Sequence, residues 1–315
     1  MTLFQAPILT DGATHSAQQF RMLVRDLARG NEGITEGDDL KVTELDTPGG
    51  GVQISDGSGI VTGRVNAFQG SYSVANVGVD TVDVAANGGG ATRYDMVILR
   101  VEDPEYEGTL DPAPGEDYIN YFDVIPNVGS TATTIPGGLT GIPLARIAIP
   151  AATSVITDGM ITDLRKVANP RRERRLYVQT PTSSSTAISG TSSTPTYFST
   201  AAGWTIDVPE WATQAIISFS IGGLRLSSGD YYGNISATFG AALVVEPVIV
   251  DDDQGGGVRR PTHIMGDTLT IPDAYRGTSQ LLRARGLAAA GNAGSMQIDA
   301  SSTLIADVEF VEAPR

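Results

Sequence analysis

Short apolar stretches broken by glycine constrain this chain more than any other feature, and residues 49–64 (GGGVQISDGSGIVTGR) show the pattern best. Val52 and Ile54 alternate with polar neighbours, and a second apolar run begins at Ile60. Alternation with a period of two is typical of a strand with one buried face, and Asp-Gly between two such runs is typical of a hairpin turn. The stretch therefore predicts a β-hairpin in a compact, β-rich domain.

A segment near the start of the chain has helical rather than strand periodicity. Over residues 14–29, apolar side chains recur at spacings of three and four and form one stripe, as an amphipathic helix requires. Ser16 with Gln19 fits a capping box, although Asp11 or Thr14 fits the N-terminal cap as well. The stripe packs either on its own domain's sheet or against copies of itself near a symmetry axis. On the second interpretation, the candidate subunit-interface residues are Phe20, Leu23, Val24 and Leu27.

Length and composition predict two domains of mainly β structure. At 315 residues the chain is long enough for two hydrophobic cores, and its composition shifts after residue 170 to a Ser/Thr/Pro-rich stretch. We expect an α+β domain with one amphipathic helix over residues 1–170, then a linker and first strand over 171–200. Short apolar runs between Gly-, Asp- and Ser-rich loops over 201–315, with 176 as an alternative start, predict a β-sandwich or jelly-roll domain.

The charge and the length of the apolar runs exclude two classes of partner. The net charge is −15, with 10 Lys and Arg against 22 Asp and Glu in residues 1–170. Nucleic acid is therefore not expected as a partner, because binding to phosphates depends on clustered positive charge. No apolar run approaches the roughly 20 residues of a membrane helix, so membrane insertion is not expected. The N-terminus lacks the pattern of a secretory signal, and we expect synthesis in a cytoplasm.

One short segment at the proposed domain boundary is locally basic. It is either a solvated linker or a set of cations that pairs with the acidic first domain of a neighbouring subunit. On the second interpretation, these residues join the candidate subunit interface: Arg171, Arg172, Arg174 and Arg175.

The sequence contains no constellation with catalytic or metal-binding spacing. Cysteine is absent, and the two histidines, His15 and His263, lie in different proposed domains. The acidic residues 102–111 are a candidate calcium site, but an exposed acidic loop explains them better. Residues 251–253 with Asp267 and Asp273 are candidates for a hard-cation site or for the paired carboxylates of a glycoside hydrolase, but a hydrated hairpin tip explains them better. We therefore expect no enzyme activity and no cofactor, and we predict no catalytic, cofactor-binding or metal-binding residue.

Four aromatic residues of the second half are candidates for carbohydrate binding. An aromatic ring near a loop offers a flat apolar face on which a sugar ring stacks, whereas most such residues simply belong to a core. The candidate glycan-binding residues are Trp204, Trp211, Tyr231 and Tyr232.

The order of short motifs over residues 1–170 resembles that of one known family. After the amphipathic helix come VQI (52–54), GSGIVTGR (57–64), YDMVILR (94–100), IPLARIAI (142–149) and ITDLR (161–165). In this succession the motifs are similar to the N-terminal attachment domain of minor tail or upper-baseplate proteins of tailed bacteriophages.

The resemblance implies a structural component of the virion at the tail tip or baseplate, made in the host cytoplasm. It implies a homotrimer that docks on other phage tail proteins through its N-terminal part. The C-terminal β domain then serves host adsorption, with host cell-wall carbohydrate as a candidate partner, or holds receptor-binding subunits. Two alternatives rank below it: a monomeric, stand-alone carbohydrate-binding module, and a polysaccharide depolymerase acting through residues 251–253.

Overall fold

The computed structural model describes residues 4, 7–111, 118–198 and 202–315 of the chain. The chain divides into two compact units: unit 1 (Met1–Pro170 with Ala313–Arg315) and unit 2 (Arg171–Glu312). The structure is mainly β, as the sequence predicts, and both units consist of antiparallel sheets. Within the described ranges, no helix is long and apolar enough to cross a membrane.

Unit 1 contains one α-helix and a series of short strands. The helix is α1 (Ala17–Leu27), and the strands are β1 (Gly33–Ile34), β2 (Val42–Glu44), β3 (Gly51–Ile54), β4 (Gly57–Thr62), β5 (Ser71–Asn76), β6 (Asp80–Asp83), β7 (Arg93–Val101), β8 (Asn120–Ile125), β9 (Gly141–Ile149) and β10 (Ile161–Asp163). They form sheets of order β1-β4-β5, β2-β3-β6 and β10-β9-β7-β8.

The helix α1 begins and ends where local sequence signals place it. Ser16 is the N-cap and makes both hydrogen bonds of a capping box with Gln19. Gly30 adopts a φ of +74°, and its N–H donates to the carbonyl of Arg25, which closes the last turn. The helix is shorter than the predicted residues 14–29 but occupies their centre.

The glycine-rich stretch that predicts a hairpin forms a corner between two sheets instead. β3 pairs with β2 and β6, whereas β4 pairs with β1 and β5, so β3 and β4 do not pair with each other. Gly57 turns the chain with a φ of +138°, and a Cβ added there would lie 2.6 Å from the Cα of Asp39. The alternating pattern therefore identified the two strands but not their partners.

The strand β7 lies inside its sheet, as its continuous apolar run predicts. It is flanked by β8 and β9, with Val97 opposite Val124 on one side and Ala145 on the other. Its buried side chains join those of β3, β4 and β9 in one apolar core. The predicted position of this strand at the centre of a sheet is confirmed.

Unit 2 consists of twelve strands within its described residues. They are β11 (Arg172–Gln179), β12 (Ile188–Ser189), β13 (Thr196–Tyr197), β14 (Gly203–Asp207), β15 (Gln214–Gly222), β16 (Arg225–Ser227), β17 (Tyr231–Phe239), β18 (Leu243–Asp252), β19 (His263–Thr270), β20 (Ser279–Ala288), β21 (Ser295–Gln297) and β22 (Thr303–Val311).

Two sheets of unit 2 enclose its core and form the predicted β-sandwich. The four-stranded sheet has the order β11-β22-β15-β19, and the five-stranded sheet has the order β13-β20-β17-β18, with β14 also paired to β20. Alternate residues of each strand point inward, and Phe239 of the five-stranded sheet meets Phe310 of the four-stranded sheet with ring centroids 6.4 Å apart. A small third sheet has the order β12-β21-β16.

The segment expected to be a linker with a first strand, residues 171–200, contains β11, β12 and β13. β11 pairs with β22 along its whole length. Its exposure alternates, with Leu176 and Val178 exposed and Tyr177 packed against the core. Arg172 and Arg174 occupy outward positions of this strand, whereas Arg175 lies on the same side as Tyr177, with its guanidinium carbon 5.8 Å from the centroid of the Phe310 ring.

Candidate assembly surface

The helix α1 buries a polar residue against unit 1 and leaves part of its apolar stripe exposed. Arg21 is its only buried residue. By contrast, Phe20 is 47% exposed and Leu27 is 70% exposed, while Leu23 and Val24 are half-buried. An amphipathic helix of a globular protein ordinarily has the reverse orientation. Of the two interpretations of the stripe, packing on the domain's own sheet does not account for this exposure.

Three polar side chains on one face of α1 hold the helix in this orientation. They recur at spacings of three and four, and each donates a hydrogen bond to a backbone carbonyl in the loop between β4 and β5. Gln18 Nε2 lies 3.0 Å from the oxygen of Phe68, Arg21 Nε lies 2.8 Å from that of Gln69, and Arg25 Nη1 lies 3.2 Å from that of Ala67. The helix is therefore tied to three consecutive residues of one loop.

Arg21 is the centre of a buried polar network. Its guanidinium donates to Glu105 at 2.8 Å and to the hydroxyl of Tyr106 at 2.9 Å, and it lies 3.4 Å from the carboxylate of Asp103. The Tyr72 hydroxyl donates to the same Asp103 at 2.7 Å, and burial, which is only partly offset by a hydrogen bond from Gln69, raises the pKa of Tyr72. Tyr72 is thus kept protonated as a donor, and the carboxylate is satisfied from two sides.

Close backbone contact reinforces the anchoring of the helix. Gly70 follows the anchoring loop with a φ of +80°, and a Cβ added there would lie 2.7 Å from the carbonyl carbon of Arg21. Neither the backbone conformation nor the space tolerates a side chain at this position. The loop also exposes Val65 and Phe68, so it adds apolar surface beside the helix.

The acidic segment at residues 102–111 is part of this anchoring rather than a cation site. Besides the carboxylates on Arg21, Glu107 pairs with Arg100 at 3.2 Å, and Glu102 accepts a hydrogen bond from Tyr121 at 2.7 Å. Among the described residues, no group of three or more His, Cys, Asp or Glu side chains is arranged to hold a metal ion.

The boundary arginines do not offer free charge to a neighbouring subunit. Each has a carboxylate partner inside unit 2: Arg171 with Glu312, Arg172 with Glu309, Arg174 with Asp307 and Arg175 with Glu173. The bonds to Arg174 lower the pKa of Asp307, the side-chain hydrogen bond being the larger cause. Three of these partners are more than 130 residues away along the chain, so the local sequence does not indicate them.

The four candidate glycan-binding aromatics do not form one platform. Tyr231 is fully buried, and its hydroxyl has no hydrogen-bond partner. Burial raises the pKa of Tyr231. Trp204 packs between Tyr177 and Phe219, with ring centroids 5.9 and 5.6 Å away. The Trp211 ring is partly buried under the guanidinium of Arg171 at 5.6 Å. These three rings belong to the core or its border.

Tyr232 alone among the four retains a substantially exposed ring, 43% by area. It is also distant from Trp204. Trp204 lies opposite Leu282 of β20, whereas the Tyr232 carbonyl accepts from Ala289, seven residues further along. At about 3.3 Å per residue, the two rings are roughly 23 Å apart along the sheet.

The acidic run at 251–253 has a structural role at a hairpin. Asp252 forms an ion pair with Arg259, whose guanidinium also donates to the carbonyls of Gly255 and Gly257. Of the other candidates for paired carboxylates, Asp267 accepts the N–H of Glu246 at 3.1 Å, and Asp273 lies 3.7 Å from Arg276. Asp252, Asp267 and Asp273 are therefore each engaged in a contact within the protein.

Comparisons with known proteins provide no family for the chain. No family model matches it, and no curated protein sequence gives a significant match. Among solved structures, that of infectious bursal disease virus Gx strain aligns over 90% of this chain and 80% of its own at 13% identity, with a TM-score of 0.24. The VP2 subviral particle of that virus aligns over 93% of this chain and 86% of its own at 12% identity, with a TM-score of 0.23. The structure of Sulfolobus Turreted Icosahedral Virus aligns over 89% of this chain and 68% of its own at 10% identity, with a TM-score of 0.18. TM-scores this low carry no argument about fold or function.

Proposed function

We propose that this chain is a structural, non-enzymatic protein of a phage tail tip or baseplate. It assembles as a homotrimer through unit 1 and docks there on other tail proteins. Unit 2 is presented for host adsorption or for holding receptor-binding subunits. The observation that carries the proposal is the outward apolar stripe of α1, held in that orientation by its polar face.

Burial of the stripe supplies a driving force for association. The exposed parts of Phe20 and Leu27 together amount to roughly 200 Å² of largely apolar surface, or about 5 kcal/mol per copy at 25 cal/mol per Å². Part of this offsets the loss of rotational and translational freedom on association. An isolated monomer gains nothing from exposing these side chains, so the orientation of the helix favours an assembled state.

Because the chain is strongly acidic, two copies can associate only where their surfaces carry no charge. A net charge of −15 makes copies repel one another over most of their surfaces. The stripe contains no ionisable side chain and is therefore a place where copies can meet without burying like charges. Helices that meet about a symmetry axis bury the same stripe from every copy.

The location in a virion is supported by the motif order over residues 1–170. The attachment domain that this order resembles is followed in its family by host-facing or scaffold parts. Unit 2, a β-sandwich with its own core, fits such a part.

The mass of the full-length protein in solution tests the homotrimer. Light scattering should give about three times 32.9 kDa. The doubly substituted variant Phe20→Lys, Leu27→Lys should be monomeric at the same concentration, because the added ammonium groups cannot be buried unpaired. Truncation after Pro170 is a poorer test, since unit 1 also includes Ala313–Arg315.

Val77→Lys is the matched control. Val77 is 97% exposed and lies in unit 1, in the turn between β5 and β6, so its substitution changes charge and hydrophobicity without touching the stripe. It should leave the trimer intact. A monomeric wild-type protein, or a trimer that survives both lysines on α1, would refute assembly through this helix.

A further inference from the structure

Two arginines of unit 2 differ from its other arginines because no carboxylate of the described residues pairs with them. Arg283 and Arg285 both lie on β20, at positions two residues apart that share the outer face of the five-stranded sheet. No carboxylate among the described residues lies within 4.0 Å of either, and residues 199–201 contain no acid. The other arginines of unit 2 are paired as follows: Arg171 with Glu312, Arg172 with Glu309, Arg174 with Asp307, Arg175 with Glu173, Arg225 and Arg260 with Asp299, Arg259 with Asp252, and Arg276 with Asp273.

The strand register places side chains with hydroxyl groups, one of them on an aromatic ring, beside these two arginines. Arg285 lies directly opposite Ser236 of β17 on one side and Tyr197 of β13 on the other, and Arg283 lies opposite Thr238. Directly opposed residues of antiparallel strands share a face of the sheet. The five side chains therefore form one compact group on the outer face of the five-stranded sheet.

Contacts within this group fix the guanidinium groups while leaving donors free. The Arg283 guanidinium carbon lies 3.7 Å from the centroid of the Tyr197 ring, and its Nε is buried without a hydrogen-bond partner. Arg285 Nε lies 2.9 Å from Ser236 Oγ, and the Tyr197 hydroxyl lies 3.2 Å from Thr238 Oγ1. A cation held by ring stacking is suited to receive an anion through its terminal N–H groups, whereas the buried Nε of Arg283 is out of reach of a ligand.

The same face extends along β17 to an exposed ring. Tyr232 has the same parity as Ser236 and Thr238, and four residues separate it from Ser236, or roughly 13 Å along the strand. Between them, Ile249 of β18 is exposed opposite Asn234, and the exposed Asp251 lies opposite Tyr232 on the same face, so the arginine end of the surface is the end that suits an anionic group. The group at Arg283 and Arg285 is therefore one end of an elongated open surface, with a stacking ring near its other end.

We propose that this surface binds an anionic oligosaccharide. A carboxylate or phosphate group of the chain accepts hydrogen bonds from Arg283 and Arg285, and a sugar ring further along stacks on Tyr232. An open, elongated face favours a polymer over a single small ion, because a small ion makes no use of the distant ring. The site deepens the host-adsorption part of the proposed function and depends on unit 2 alone.

Calorimetric titration of the full-length protein tests the site. The probes are a short oligogalacturonate, which carries carboxylates, and a phosphomannan oligosaccharide, which carries phosphates; neutral galactose and mannose oligomers of equal length are the comparison. We expect at least one acidic probe to bind more tightly than its neutral counterpart, and to bind more weakly at high salt. Arg283→Gln and Arg285→Gln should each weaken that binding about tenfold, and Tyr232→Ala should weaken it severalfold.

Arg174→Gln is the matched control, because it removes the same charge from an exposed, carboxylate-paired arginine of the other sheet. It should leave the affinity within about twofold of the wild type. Absence of binding by both acidic probes, equal binding of neutral and acidic probes, or equal losses in Arg174→Gln and Arg283→Gln would each overturn the proposal. The solution mass of the same samples reports separately on assembly through unit 1, so failure of one proposal is distinguishable from failure of the other.

Discussion

Replacement of Arg21 with Met tests whether the polar face of α1 holds the helix in its reversed orientation. Met keeps an unbranched side chain in place of the aliphatic part of Arg and has a similar helix propensity, so the helix itself is not weakened. The substitution removes the guanidinium that donates to Gln69 and Glu105 and neutralises Asp103. Asp103 then retains hydrogen bonds from the Tyr72 hydroxyl and the Glu105 N–H but no cation.

The magnitude follows from the burial of each partner. The side chains of Arg21 and Asp103 are 10% and 12% exposed, and loss of one partner of a buried pair costs about 3–5 kcal/mol. Glu105 is 57% exposed, so its bond to Arg21 adds less than about 1 kcal/mol. Because Asp103 keeps two hydrogen-bond donors, we expect the free energy of unfolding to fall by about 3 kcal/mol, the lower end of that range. For a unit of this size, that free energy lowers the unfolding midpoint by roughly 6–12 °C.

Calorimetric unfolding of the full-length protein measures the midpoint, and amide hydrogen exchange measures the protection of α1. Arg25→Met is the control, because Arg25 is on the same helix face but anchors the helix through a single 3.2 Å hydrogen bond to the carbonyl of Ala67. The Arg25→Met substitution should lower the free energy of unfolding by less than about 1 kcal/mol. A midpoint for Arg21→Met within about 2 °C of the wild type, with unchanged exchange in α1, would refute the anchoring argument.

Three further predictions concern single positions. Gly70→Ala should destabilise unit 1 by several kcal/mol in urea unfolding, because its φ of +80° and the contact with Arg21 leave no place for a Cβ. Tyr231→Phe should stabilise unit 2 by up to about 1 kcal/mol in the same assay, because it removes a buried hydroxyl without a partner; destabilisation would show that the hydroxyl is satisfied. Burial lowers the pKa of His263 below its ordinary 6.5. As the pH falls, the unfolded chain therefore binds a proton at His263 before the folded chain does. The thermal unfolding midpoint of unit 2 should consequently fall as the pH decreases below about 6.5. His263→Asn should remove that slope between pH 6.5 and 5 without changing stability losses at lower pH, where Asp299 and Asp307 protonate.

Local signals in the sequence were sufficient for much of the fold. The capping box at Ser16 and Gln19 was one of three candidate starts of α1 and is the one the structure has, and the apolar run of residues 94–101 predicted a central strand. The capping box depends on an interaction between residues close together in the chain, and the central strand depends on burial of its whole apolar run. The β-sandwich of unit 2 followed in the same way from alternation and turn residues.

Sequence reasoning failed where the answer depends on distant partners. Alternation in residues 49–64 does not specify that β3 and β4 pair in different sheets. The stripe of α1 does not reveal that Arg21 would find Asp103 and Glu105 more than 80 residues away and turn the polar face inward. Arg283 and Arg285 carried no signal either, because their distinction is the absence of a carboxylate that the other arginines have.

The pairing of β11 with β22 has a consequence for how the two units can be separated or exchanged. Arg172 lies opposite Val311, so the strands by which unit 2 leaves and rejoins unit 1 are neighbours in one sheet. Unit 2 is thus a cassette inserted into unit 1, and any β-domain whose first and last strands are likewise adjacent fits the same two junctions. Unit 1 is completed beyond the insertion, where Arg315 pairs with Asp38 and its carbonyl accepts a bond from Arg165 at 2.8 Å. A chimera that exchanges the cassette between the two junctions retains these contacts, whereas a chimera that ends after the cassette loses them.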